Sequence, residues 1–195
     1  MQLQSGDVVT VETLLHGVLI ASGADAAMVL AREAGMTVTI DKIGNGFLRR
    51  PGRNNSLPPV VTGSHIDTQP TGGKFDGNYG VLAGLEVVRT LNDAGIETEA
   101  PIEVAWWTNE EGSRFVPVMM GSGVFAKAFT LEHAYAATDA EGKSVKDELA
   151  RIEGEMSALP LGRRRRLLGP GPPRRGARSP GPGRGRGVLV RRRSG

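Results

Sequence analysis

Residues 60–107 constrain the fold more than any other part of the chain. Two short apolar runs, "VVTGSHID" (60–67) and "IEVAWW" (102–107), each lead into polar residues. Between them lie a polar, glycine-rich loop, "TQPTGGKFDGN" (68–78), and a segment, "YGVLAGLEVVRTLNDAG" (79–95), with apolar residues at helical spacing and a closing glycine. Strand, helix and strand in this order, with polar residues left at the strand ends, point to an α/β sheet carrying a site along its carboxyl edge.

The flanking segments fit such a sheet. "GADAAMVLAREAG" (23–35) reads as a helix stopped by Gly35. "TVTIDKIGNGFLRRPG" alternates and breaks at "GNG", which predicts a hairpin of two strands. "NNSLPP" is a loop, and "GSGVFAKAF" and "SVKDELARI" are expected to be short helices. Residues 1–22 are poorly defined: "VVTVETLLHGVLIA" is read either as a helix or as a short buried strand pair, with His16 a core or boundary histidine.

Charge divides the chain in two. Residues 1–160 carry 12 Lys and Arg against all 21 Asp and Glu, whereas residues 161–195 carry 12 arginines and no acid. The acidic body gives no electrostatic reason to expect nucleic acid or an anionic membrane as partner. No apolar run approaches the roughly 20 residues needed to span a bilayer, and the start lacks signal-peptide order, so a cytoplasmic setting is expected. There is no cysteine, so disulfides and thiolate metal sites are excluded and any metal must be held by His, Asp and Glu.

Such residues stand at the strand ends. "GSHID" supplies His65 and Asp67, "GKFDGNYG" supplies Asp76, and "TNEEG" supplies Glu110 and Glu111. Imidazole and carboxylate suit zinc or manganese. A carboxylate such as Asp76 can bridge two metals, and two metals about 3.5–4 Å apart form a hydrolytic centre. His65 and Asp67 point to one face of a strand, so Asp67 is expected to steady the imidazole and fix its free nitrogen. Adjacent residues point oppositely, so Glu111 is assigned as a ligand and Glu110 as the general base that takes a proton from the attacking water. Taken singly, each fragment also has a structural reading, Asp76 as a turn residue and the glutamates as a solvated pair.

"GSHIDTQPTGGKFDGNYGVLAGLEVV" together with "WTNEEGSRFVPVMMGSGVF" closely resembles the dinuclear-metal amidohydrolases of the hydantoinase/carbamoylase type, related to the zinc aminoacylases and carboxypeptidases. These include N-carbamoyl-L-amino-acid hydrolases, allantoate amidohydrolases and bacterial β-ureidopropionases. The resemblance covers roughly residues 23–155. It implies a zinc-peptidase-like catalytic domain, a mixed sheet with flanking helices. It implies that His65 binds one metal, Asp76 bridges both, Glu111 binds the other and Glu110 is the base. Two zinc ions are expected, with manganese, cobalt or nickel as possible substitutes. The implied substrate is a ureido or amide group next to a carboxylate, and the rival within the wider family is a peptidase or deacylase.

The resemblance also sets limits. Family members carry a second metal-binding histidine in a "HIEQG"-like motif, a third near the C-terminus, an arginine for the substrate carboxylate and a domain that mediates homodimerisation. This chain has none of these, and His133 in "LEHAYAATD" is expected to be structural. The chain is therefore expected to be a truncated N-terminal part of the domain and a poor enzyme alone. Arg, Gly and Pro make up 26 of residues 161–195, so this tail is expected to be disordered. Its composition is that of GC-rich DNA read out of frame, and a frameshift from about 153–161 is the favoured origin. The alternative is a basic tail that binds nucleic acid nonspecifically, against which counts its lack of aromatic residues for stacking.

Overall fold

Helix α3 (Asn78–Asp93) carries a buried stripe in which Asn78, Val81, Leu85 and Val88 recur at three- and four-residue steps. The stripe packs on Leu48, Val104 and Trp106 of the sheet and on Ala27, Ala31 and Met36, one contiguous core. Gly84 sets the approach: a Cβ there would stand 2.8 and 2.9 Å from the Val104 methyls. A larger residue would push α3 off the sheet.

The computed structural model describes residues 3, 7–10, 12–16, 24–158 and 187–189. In chain order the other elements are β1 (Val8–Thr10), a short helix α1 (12–16), α2 (Ala24–Glu33), β2 (Thr37–Ile40), β3 (Gly46–Arg50), β4 (Val60–His65) and β5 (Ile102–Trp107). They are followed by α4 (Met120–Phe125), α5 (Leu131–Ala136), α6 (Val145–Ala158) and β6 (Gly187–Leu189). The main sheet has the order β2-β3-β5-β4. The pairs β2–β3 and β3–β5 are antiparallel and β4–β5 is parallel, with α3 as the crossover, so the sheet is mixed as expected. Gly35, at φ 76°, follows the last turn of α2 as its stop. A second, smaller core of Ile43, Phe115, Met120, Ala134 and Val145 joins α4, α5 and α6 to the hairpin loop.

Two expectations change. Among the described residues of the first 22, strand β1 is followed by α1, in place of one helix or a strand pair, with Leu14 fully buried and His16 exposed rather than in the core. Three residues of the segment expected to be disordered, Gly187–Leu189, pair antiparallel with Val8–Thr10. They belong to "GVLV", a tail run rich in the β-branched residues that favour extended backbone. The rest of 161–195 lies outside the described residues. Residues 131–136 form a short helix outside the metal cluster, as the resemblance implied for "LEHAYAATD", started by the Thr130 hydroxyl, which accepts from the His133 N–H.

The outer edge of β4 has no partner strand among the described residues, and Val60 and Val61 are 64% and 48% exposed. None of the described helices is long and apolar enough to cross a membrane.

Candidate metal centre

The parallel register Val60↔Ile102 to His65↔Trp107 ends β4 and β5 at the same level. His65 therefore closes one strand where "TNEEG" leaves the other, and the crossover loop returns between them to start α3. This brings one imidazole and three carboxylates together. His65 is buried, and its Nε2 lies 3.3 Å from Glu110 Oε2 and 3.5 Å from Asp76 Oδ1. Ligand atoms of His65, Glu110 and Glu111 all fall within 4.8 Å of one another.

The imidazole is oriented from behind. Its Nδ1 lies 2.9 Å from the main-chain oxygen of Asp67. A carbonyl can only accept, so Nδ1 carries the proton and Nε2 faces the carboxylates. This differs from the expected role of the Asp67 side chain, whose Oδ1 stands 3.7 Å from Nδ1. The tight path from β4 turns the carbonyl of Asp67 onto the ring, and its carboxylate instead crosses to the other loop, where Oδ2 accepts the Glu111 N–H at 3.1 Å.

The donor set fits a divalent cation. Ligands about 2.0–2.2 Å from one zinc stand about 3.3–3.6 Å apart across a tetrahedral edge, and His65 Nε2 and Asp76 Oδ1 are 3.5 Å apart. Glu111 Oε1 and Asp67 Oδ1 are buried and have no hydrogen-bond partner. A buried carboxylate oxygen without a donor is costly unless a cation meets it. Asp76 is the outlier of the set: its side chain is 59% exposed, against 29% for Glu110.

Backbone geometry holds the ring in place. Gly77, at φ 71°, packs directly on His65, and a Cβ there would collide with the ring. Asn109 adopts φ 49° and anchors the loop after β5, its amide donating to the carbonyls of Phe115 and Pro117 at 2.8 and 3.2 Å. His133 is exposed on α5 and stands outside the cluster.

Sequence reasoning missed two supports. Asn45 is fully buried; its Nδ2 donates to Asp41 Oδ2 and to the Gly121 carbonyl, and its Oδ1 accepts the Thr108 N–H at 3.0 Å. Arg114, the arginine of "EGSRF", donates to Asp139 from Nε and Nη2 and to Glu148 from Nη1, at 2.8–2.9 Å, and lies over the Phe115 ring. Its guanidinium is thereby committed to α6 and the preceding turn. These hydrogen bonds hold Arg114 above its usual range. Burial raises the Asp139 carboxyl, but the Arg114 hydrogen bond and the Lys143 and Glu141 N–H groups outweigh it and the net shift is downward.

Hydrogen bonds from Arg151 and then Arg114 lower Glu148 from 4.5 to about 2. A depressed carboxylate binds fewer protons folded than unfolded, so its stabilisation is complete above pH 4.5 and is lost as pH falls toward 2. Urea unfolding of Glu148→Gln beside wild type should therefore show a stability gap at pH 6 that closes steadily below pH 4.5. A gap independent of pH would mean the charge of Glu148 plays no part.

Residues 61–154 match the model of peptidase family M20/M25/M40. Over 120 residues the chain is 62% identical to an N-carbamoyl-L-amino-acid amidohydrolase of Rhizobium meliloti, covering 62% of this chain and 29% of the relative. It is 37% identical over 112 residues to an allantoate amidohydrolase of Bacillus subtilis, covering 57% and 27%. A hydantoinase/carbamoylase-family amidase from Burkholderia multivorans superposes with a TM-score of 0.66 at 55% identity, covering 75% of this chain and 34% of that one. The chain thus spans less than a third of the length of these two curated relatives.

Proposed function

We propose that the chain, whose residues 61–154 match the model of peptidase family M20/M25/M40, belongs to that family and that its site serves metal-dependent hydrolysis of a linear amide C–N bond in N-carbamoyl amino acids or related ureido acids such as allantoate. The observation that carries this reading is His65 Nε2, turned by the Asp67 carbonyl toward Glu110 and Asp76 beside the partnerless Glu111 Oε1. The named activities of the relatives support this substrate class.

His65, Asp76 and Glu111 would hold the ion, zinc being the best match to imidazole and carboxylate donors. Once bound, it would polarise the scissile carbonyl and bring the pKa of a water toward neutrality. Glu110, 3.3 Å from His65 Nε2 and 29% exposed, accepts the proton of the attacking water and returns it to the departing nitrogen as the C–N bond breaks. For a carbamoyl amino acid, one water yields the amino acid, ammonia and carbon dioxide. Arg114 takes no part in holding a substrate carboxylate, because Asp139 and Glu148 already occupy it.

A chimera tests this: the 120 matching residues of the Rhizobium meliloti relative are replaced by those of this chain. It should release ammonia from N-carbamoyl amino acids, and Glu110→Gln should lower kcat about 100- to 10,000-fold while bound metal is retained. Preferential cleavage of dipeptides would instead favour the peptidase reading.

A further inference from the structure

Glu110 and Glu111 are chemically identical neighbours at one strand end, yet the two are held differently. The Glu111 N–H donates to Asp67 Oδ2, and Glu111 Oε2 accepts from Gln69 Nε2 at 2.5 Å. Its other oxygen, Oε1, is buried without a partner. The Glu110 carboxylate accepts no hydrogen bond from a side chain among the described residues, and the unprotonated Nε2 of His65 lies 3.3 Å from its Oε2.

We propose that Gln69 is a positioning residue that selects Glu111 as the metal ligand. By holding Oε2, it fixes the carboxylate rotamer and presents Oε1 to the ion, while Glu110 stays free to move a proton. This deepens the reading above and rests on it. The chemistry of the side chain suits the task. An amide donates to a carboxylate without adding charge, so Glu111 keeps its full negative charge for the cation; a lysine there would neutralise it, and a glutamate would repel it. The loop carrying Gln69 is held in register by a further bond, from the Ser113 hydroxyl to the Thr68 carbonyl at 3.2 Å. Asp67, Thr68 and Gln69 thus meet residues 111–113 as a zipper of three hydrogen bonds. Gln69 itself is exposed, so replacing it leaves the core intact.

The test titrates the full chain with Co2+ alone, reading affinity and the visible d–d absorption that reports ligand geometry. Gln69→Ala should weaken binding about 10- to 100-fold, the usual loss on removing a residue that orients a ligand, and should alter the band. Gln69→Glu, equal in size but without the donor, should lose at least as much. The urea midpoints of both apo variants should match wild type. If both variants bind with wild-type affinity and spectrum while His65→Ala does not bind, the role of Gln69 is refuted and the metal site stands. If wild type binds no cobalt, or His65→Ala binds as wild type does, the metal site itself fails and the proposal with it.

Discussion

Gly77→Ala is expected to abolish divalent-metal binding as completely as removal of His65, and to destabilise the fold. The residue sits at φ 71° and ψ −54°, a sparsely populated backbone region that costs a residue with a side chain about 1–3 kcal/mol. The added Cβ would also lie 2.5 Å from the His65 carbonyl oxygen and would strike the imidazole itself. Relief requires moving either the end of β4 or the start of α3. Both displace Nε2 from the carboxylates, and interactions at 3.3–3.5 Å do not survive a shift of about 1 Å. Zinc titration of the variant should show no saturable binding, and urea unfolding a midpoint below wild type. Undiminished zinc affinity would show that the contact between α3 and His65 does not position the ring.

Asn45→Leu should cost about 3–5 kcal/mol, because each group left unsatisfied is worth about 1–3 kcal/mol. The amide joins three parts of the chain: Asp41 in the hairpin loop, Gly121 in α4 and Thr108 at the end of β5. Leucine fits the volume of the site but leaves the Thr108 N–H and the Gly121 carbonyl without their partner. Thr108 precedes Asn109–Glu111, so the site should loosen along with the fold. Equilibrium unfolding measures the loss, and zinc affinity should drop in the same variant. A change below about 1 kcal/mol would mean that the two backbone groups find other partners.

The fold was legible where residues repeat with a period. The helical spacing in 79–95 and the runs "VVTGSHID" and "IEVAWW" foretell β4, α3 and β5 because each element buries one face on the same core. The hairpin was visible in alternation broken at "GNG", where Gly44 does adopt φ 91°. The six-residue helix α5 is too short to show a period, and the structure shows it started by the Thr130 hydroxyl, which accepts from the His133 N–H.

The site was legible as a set of donors but not as an arrangement. His65, Glu110 and Glu111 announce themselves by residue type and position, and the structure gathers them. Asn45 looked like a turn residue because its partners Thr108 and Gly121 lie 63 and 76 residues away. Asp67 was credited with holding His65 through its carboxylate, whereas its main-chain oxygen does so. Periodicity carries no information about which atom of a residue is used. Gln69 in "TQPTGG" likewise looked like an exposed loop residue until Glu111, 42 positions on, came to face it.

The most direct test of the account is the zinc content of the purified chain after dialysis against a dilute zinc buffer, beside His65→Ala and Glu111→Ala. The account predicts bound zinc in the wild type, lost in both variants, together with a rise in the wild-type unfolding midpoint as free zinc increases. Zinc absent from the wild type, or retained equally by all three proteins, would contradict a metal centre at the carboxyl edge of this sheet.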